Sequence, residues 1–282
     1  MEARIVVSRL RDDLTVDPSA SKFVIAGEDA GGLHVHLASE MSGLADPVVE
    51  ANTKSPGGRP GQRLLSTRFT ARNVVFRVTI LGDPDNIYQR ESAWRSAWSY
   101  TSYTELAYTV NGVTRVIRLR LEDYEVDTNH DLAVQGAVDV VMSTVADDPF
   151  WYEPDELKFY PLEKEVVRKV KFHGEHAPVF PVFRWTAGVG SGYQDAFRFQ
   201  VDGGQNQFFV IPDLRNGSSY LVDFDPGARQ WQSKQDPNVW NRMNGVRYSL
   251  AGTQQARTLE VSHSMSDKVE VQMAAPYLRP WR

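Results

Sequence analysis

A chain of 282 residues with 41% hydrophobic and 24% charged side chains has apolar material for two sandwich-sized cores or one large β unit, and two cores are the expectation. The absence of cysteine excludes disulfide staples, thiolate metal ligands and cysteine nucleophiles. The net charge of −5 divides into 15 basic against 19 acidic residues up to Ala146 and 16 against 17 beyond it, so neither half has the basic excess of a phosphate-backbone binder and nucleic acid is not expected as a partner.

In chain order, EARIVVSRL and KFVIAG (Lys22 to Gly27) are short and rich in Val and Ile, as strands opening a sheet are. Charges interrupt the first stretch where a secretory leader needs an apolar core, and no segment approaches the roughly 18 apolar residues of a membrane span. Synthesis in the cytoplasm without membrane insertion is therefore expected. Leu33, Val35 and Leu37 alternate with His34 and His36, which predicts a strand carrying both imidazoles on one face. The further ligands a metal needs are not in sight, and no metal or other cofactor is expected. From Ser42 to Gly61 the pattern dissolves into SGLADPVVEANTKSPGGRPG, read as an exposed functional arm or a disordered excursion.

Gln62 to Gly82 predicts two strands, the second alternating at Val74, Phe76, Val78 and Ile80. Asp83 followed by Pro84 reads as a helix start, and Ile87, Glu91, Trp94 and Trp98 recur at helical spacing, predicting one helix over about 84–99 laid across a sheet. Asn111-Gly112 is a two-residue hairpin signal, because both positions tolerate positive φ. In the strand that follows, Arg118 and Arg120 alternate with Ile117, Leu119 and Leu121, predicting a basic exposed face. Leu132 to Val145 reads as a strand running into TVADDPFWYEP, Thr144 to Pro154.

That stretch reads as a stiff elbow. Asp148 is biased out of the helical region by Pro149, which has no N–H to continue a ladder, and Phe150, Trp151 and Tyr152 carry more apolar area than a linker needs. The expected division is a β domain over 1–146, an elbow over 147–154 and an antiparallel β-sandwich over 155–282. In that last part strand-like runs recur every eight to twelve residues from LKFYPL to KVEVQMAA, including GVRYSL, with no helical period.

Candidate sites in this half are weak by motif. His173, Glu175 and His176 sit in a turn-like segment, and GVGSG (Gly188 to Gly192) precedes a strand and not a helix, unlike a phosphate loop. Asp223 and Asp225, flanking Phe224 before Pro226-Gly227, form a carboxylate pair of the kind glycoside hydrolases use, or equally a strand end entering a turn. Tyr220, Trp231 and Trp240, with Trp185, offer either a stacking platform for sugars of a host cell envelope or a sandwich core. No nucleophile motif is present, and no enzymatic activity is expected.

The order of ADDPFW at the junction (Asp147, Asp148, Pro149, Phe150 and Trp151), YLVDFDP from Tyr220, NVWNRMNGV from Asn238 and the terminal PYLRPW from Pro276 resembles the distal tail proteins (Dit) of long-tailed bacteriophages, often minor tail proteins in phages of actinobacteria. The resemblance implies a mainly β chain: an N-terminal domain that forms a ring, commonly a hexamer, at the end of the tail tube, and a C-terminal galectin-like sandwich. It implies a virion structural hub at the distal end of the tail, with further copies of itself, the tail tube protein, the tape measure protein and other tail-tip or baseplate proteins as partners. Ser42 to Gly61 is then a candidate intersubunit arm. The alternative function is a carbohydrate-binding module for cell-envelope adhesion carried on the sandwich, with a host surface glycan as partner.

Overall fold

The computed structural model describes residues 3–39, 41–55, 57, 60–126, 134, 136–171, 179–188, 196–211, 215–225, 228–242, 258–265 and 268–281. The fold is mainly β, and the chain divides into two compact units: Met1–Trp151 together with Leu278–Arg282, and Tyr152–Tyr277. The chain therefore passes between units twice, and its last residues belong to the first unit.

In the first unit, β1 (Arg4–Arg9), β2 (Lys22–Ala26), β3 (Val35–Leu37), β6 (Arg72–Leu81), β7 (Thr104–Val110), β8 (Val113–Val126) and β9 (Ala137–Ala146) form an antiparallel sheet in the order β2-β1-β7-β8-β9-β6-β3. The two ends of that order, β2 and β3, lie side by side, so the sheet curls towards a barrel. Burial follows the pleat: Val74, Phe76, Val78 and Ile80 of β6 are inside while Asn73, Arg77 and Leu81 face out. β8 pairs with β7 from Val113 to Leu119 and with β9 from Arg120 to Val126, with an irregularity between Leu121 and Asp123 inside the second ladder. At the β7–β8 hairpin Asn111 (φ 52°) and Gly112 (φ 77°) both adopt the left-handed conformation that the sequence signal requires.

The helix α1 spans Ile87–Ser96, a turn shorter at its start than the sequence predicts. Asp83 and Pro84 form a turn in which the amides of Asn86 and Ile87 both donate to the Asp83 carbonyl at 3.0 Å, and Asn86, not Asp83, precedes the helix. The apolar stripe is as expected: Ile87, Trp94 and Trp98 are buried, with Trp94 edge-on to Phe23 of β2 and Trp98 against Phe76 of β6. Glu91 sits among them because it accepts the Tyr124 hydroxyl at 2.6 Å.

Two expectations are corrected here. His34 lies in a turn with φ 62° ahead of β3, while the His36 ring lies against Gly31, so the two histidines do not share a strand face. The basic face of β8 is engaged and not open: Arg118 and Arg120 are half-buried, and Arg120 pairs with Asp147.

The second unit is a sandwich of two antiparallel sheets. One has the order β10-β18-β12-β15-β16, the other β11-β17-β13-β14. The strands are β10 (Tyr160–Leu162), β11 (Arg168–Lys171), β12 (Val182–Thr186), β13 (Ala196–Val201), β14 (Gln207–Val210), β15 (Ser219–Asp223), β16 (Trp231–Gln232), β17 (Thr258–His263) and β18 (Val269–Gln272), with one helical turn, α2 (Val239–Arg242), absent from the sequence reading. Their inner faces supply an aromatic core in which Phe183 stacks on Phe197 at 4.1 Å and Phe224 meets Phe199 and Phe209 edge-on or tilted. The expected GVRYSL strand lies outside the described residues.

Candidate functional site

The sequence from Ser42 to Phe69 builds an arm. Strands β4 (Val49–Lys54) and β5 (Arg63–Phe69) pair only with each other, and every residue of β4 and all but Phe69 of β5 are exposed. Val48, Leu64 and Leu65 are 67%, 57% and 53% exposed. A two-stranded hairpin with no covered face has little stability of its own in water, and both of its outer edges carry unpaired backbone groups. The arm is thus an unfinished sheet with apolar side chains in solvent.

Its root is closely held. Thr70 donates from its amide to the Val48 carbonyl at 3.0 Å, and Ser42 exchanges backbone hydrogen bonds with Val75 of β6. Gly43 (φ 79°) passes so near β6 that a Cβ there would stand 1.8 Å from the Asn73 carbonyl oxygen, so only glycine fits. Phe69, the last residue of β5, packs edge-on against Phe150 at 5.1 Å.

The centre of this region is Arg72, the first residue of β6 and 2% exposed. Its Nε donates to the Pro149 carbonyl at 2.8 Å; one terminal nitrogen donates to the carbonyls of Gly43 (3.0 Å), Leu44 (2.8 Å) and Ala45; the other donates to Leu278 at 2.8 Å. The planar fork of five N–H donors suits a site made only of carbonyls. Burial pulls the guanidinium down to about 10, which still leaves it charged at neutral pH.

Beside it, Arg279 makes a two-armed ion pair with Asp46, with both N–O distances 2.6 Å, and holds the Asp46 carboxyl below its ordinary range. Arg115 of β8 donates to the Arg279 carbonyl at 2.7 Å. Trp281 leans on the Tyr108 ring at 5.8 Å, and Trp151 meets the same tyrosine at 6.3 Å. Three segments far apart in sequence, the arm root, residues 149–151 and residues 278–281, therefore meet within the first unit.

The junction residues have definite places. Asp147 accepts from Arg120 through both carboxylate oxygens (3.0 to 3.2 Å) and from the Tyr103 hydroxyl at 2.9 Å, and the Arg120 hydrogen bonds hold its carboxyl below the usual value. Asp148 accepts the Phe150 amide at 3.3 Å, a local turn bond. Trp151 is fully buried in the core of the first unit, while Phe150 and Tyr152 are half-buried and Tyr152 falls in the second unit.

Of the two alternatives at Tyr220, Trp231 and Trp240, a sugar platform or a sandwich core, these residues take the core. Tyr220 and Trp231 are each 1% exposed, and Trp240 packs partly buried against the same core, so no pair of ring faces is open for stacking. Strand parity carries the signal: Tyr220, Val222 and Phe224 alternate on one face and must point inward together. Tyr220 donates its hydroxyl to Asp236 at 2.8 Å, satisfying both buried groups. Asp223 accepts the amide of Asp225 at 2.9 Å, the bond of a side-chain-closed turn, and its burial raises its carboxyl above 3.8. His173, Glu175, His176, Pro226-Gly227 and all of GVGSG after Gly188 lie outside the described residues. No group of three potential metal ligands and no helix long and apolar enough to cross a membrane occurs among the described residues.

No protein-family model matches the chain. It is 29% identical to the minor tail protein Gp27 of Mycobacterium phage L5, over 82% of this chain and 84% of that protein, and 28% identical to its counterpart in Mycobacterium phage D29 over the same shares. Among solved structures it resembles SPP1 Dit (gp 19.1), described as a paradigm of the hub adsorption apparatus of phages infecting Gram-positive bacteria, with a TM-score of 0.52 and 14% identity over 87% of this chain and 94% of that one. It also resembles a chain of the phage P2 baseplate in its activated conformation with calcium, with a TM-score of 0.56 and 12% identity over 98% of both. The resemblance to distal tail proteins drawn from the sequence thus holds at the level of fold over nearly the whole chain.

Proposed function

We propose that the chain is a structural protein of the tail tip of a long-tailed phage, forming a ring of six copies at the distal end of the tail tube and joining it to tape measure and baseplate proteins. The observation that carries the reading is the coincidence of two likenesses along the same chain: relatives that are minor tail proteins and a fold shared with Dit and baseplate chains. The exposed arm supports it. A closed ring needs a heterologous interface, one surface meeting a different one on the next copy. The unfinished β4–β5 sheet, with Val48, Val49, Leu64 and Leu65 outward, is suited to be completed by a neighbour. No catalytic role is assigned to the chain in this reading.

Light scattering of purified protein over a concentration series tests it. The expected result is a species several times the 31.8 kDa chain mass, reduced to a monomer by Leu64→Glu with Leu65→Glu. A monomer at every concentration, together with tails whose tips lack the chain, would remove the reading.

A further inference from the structure

The last described residues return to the first unit through contacts that also hold the arm. Arg72 donates at once to the arm root at Gly43, Leu44 and Ala45, to Pro149, and to Leu278. One residue further, Arg279 clamps Asp46 of the same root, and Arg115 holds the Arg279 carbonyl. Trp281 closes the segment against Tyr108.

We propose that residues 278–281 act as a strap on the arm: seated, they share Arg72 and Asp46 with the arm root and fix it on β6; unseated, they free the root to move. The coupling is reciprocal, as any coupling between two segments that share partners must be, so a damaged root also loosens the strap. The arm hairpin has no other covered face, which leaves its bearing to this root.

Hydrogen exchange of the full chain and of a chain ended at Tyr277 tests the strap. The amides of Ser42 and Thr70 lie at the root, and those of β6 and β9 report the sheet. Losing Leu278 from a buried charged donor predicts roughly tenfold faster exchange at Ser42 and Thr70, with β9 unchanged. The milder variant Arg279→Ala removes a half-exposed ion pair and predicts about threefold at the same amides. In the reverse direction, Asp46→Ala is expected to speed release of residues 278–282 by carboxypeptidase.

Root amides that exchange at the wild-type rate in Arg279→Ala, with release of residues 278–282 unaltered in Asp46→Ala, would overturn the proposal. If the shortened chain does not fold, these two surface variants decide alone. A ring that fails to form would leave each of these readouts standing, so the strap and the proposed function fail separately.

Discussion

Arg72 is a buried cation with no carboxylate in its hydrogen-bond shell, and five carbonyl oxygens depend on it. Replacing it by Met keeps the stem and strands the acceptors, which predicts a loss of about 2–4 kcal/mol in urea unfolding. Arg72→Lys recovers only part, because a single ammonium cannot reach carbonyls arranged around a plane. Asp223 gives the opposite prediction. Its folded carboxyl has a raised pKa, so the folded state prefers the protonated form, and its stabilising effect is lost as pH rises from the unfolded value near 3.8 through the raised one. Asp223→Asn keeps the oxygen that accepts the Asp225 amide, and is expected to raise the melting temperature at pH 7 while leaving it unchanged near pH 3. Unequal shifts in the reverse sense would show that the buried charge is tolerated. For Asp147 the sign inverts: Arg120 lowers its pKa, so its contribution is in place above the unfolded value and disappears only as pH falls through the depressed one.

Elements whose residues answer to one face were legible in the sequence. The Ile87, Trp94 and Trp98 stripe gave α1, the alternation from Val74 to Ile80 gave β6, and Asn111-Gly112 gave the hairpin, because each is a local pattern with a local cause. The arm was half legible. RLLSTRF reads as a strand, but VEANTK has no apolar alternation, since both faces of β4 are in solvent and burial selects neither. Nothing in the sequence marks Arg72, because its partners are backbone carbonyls, one of them 206 residues away. Within the aromatic elbow, Trp151 is core. Trp151→Ala is therefore expected to cost the first unit about 3–5 kcal/mol, and Pro149→Gly, which keeps the carbonyl that Arg72 uses, far less. Comparable losses for the two in calorimetry would return the weight to the backbone turn.

At the scale of the whole chain, the second unit is inserted between residue 151 and residue 278 of the first, and both crossings lie next to residues that Arg72 or Tyr108 holds. A chain that leaves and returns at neighbouring points on one unit is anchored there at both ends of the insertion. Composition shows the first crossing, through proline and a cluster of aromatics, and hides the second, since PYLRPW looks like the close of the sandwich. In the proposed ring this arrangement gives the first unit three tasks: its sheet forms the wall, its arm meets the next copy, and its strap keeps the arm at one bearing.

A density map of the assembled tail that carries this chain measures that claim directly. A closed ring of first units at the distal end is expected, with the β4–β5 arm of each copy lying on its neighbour and Leu64 and Leu65 covered there. Copies placed elsewhere in the tail, or a ring in which the arms stand free in solvent, would contradict it.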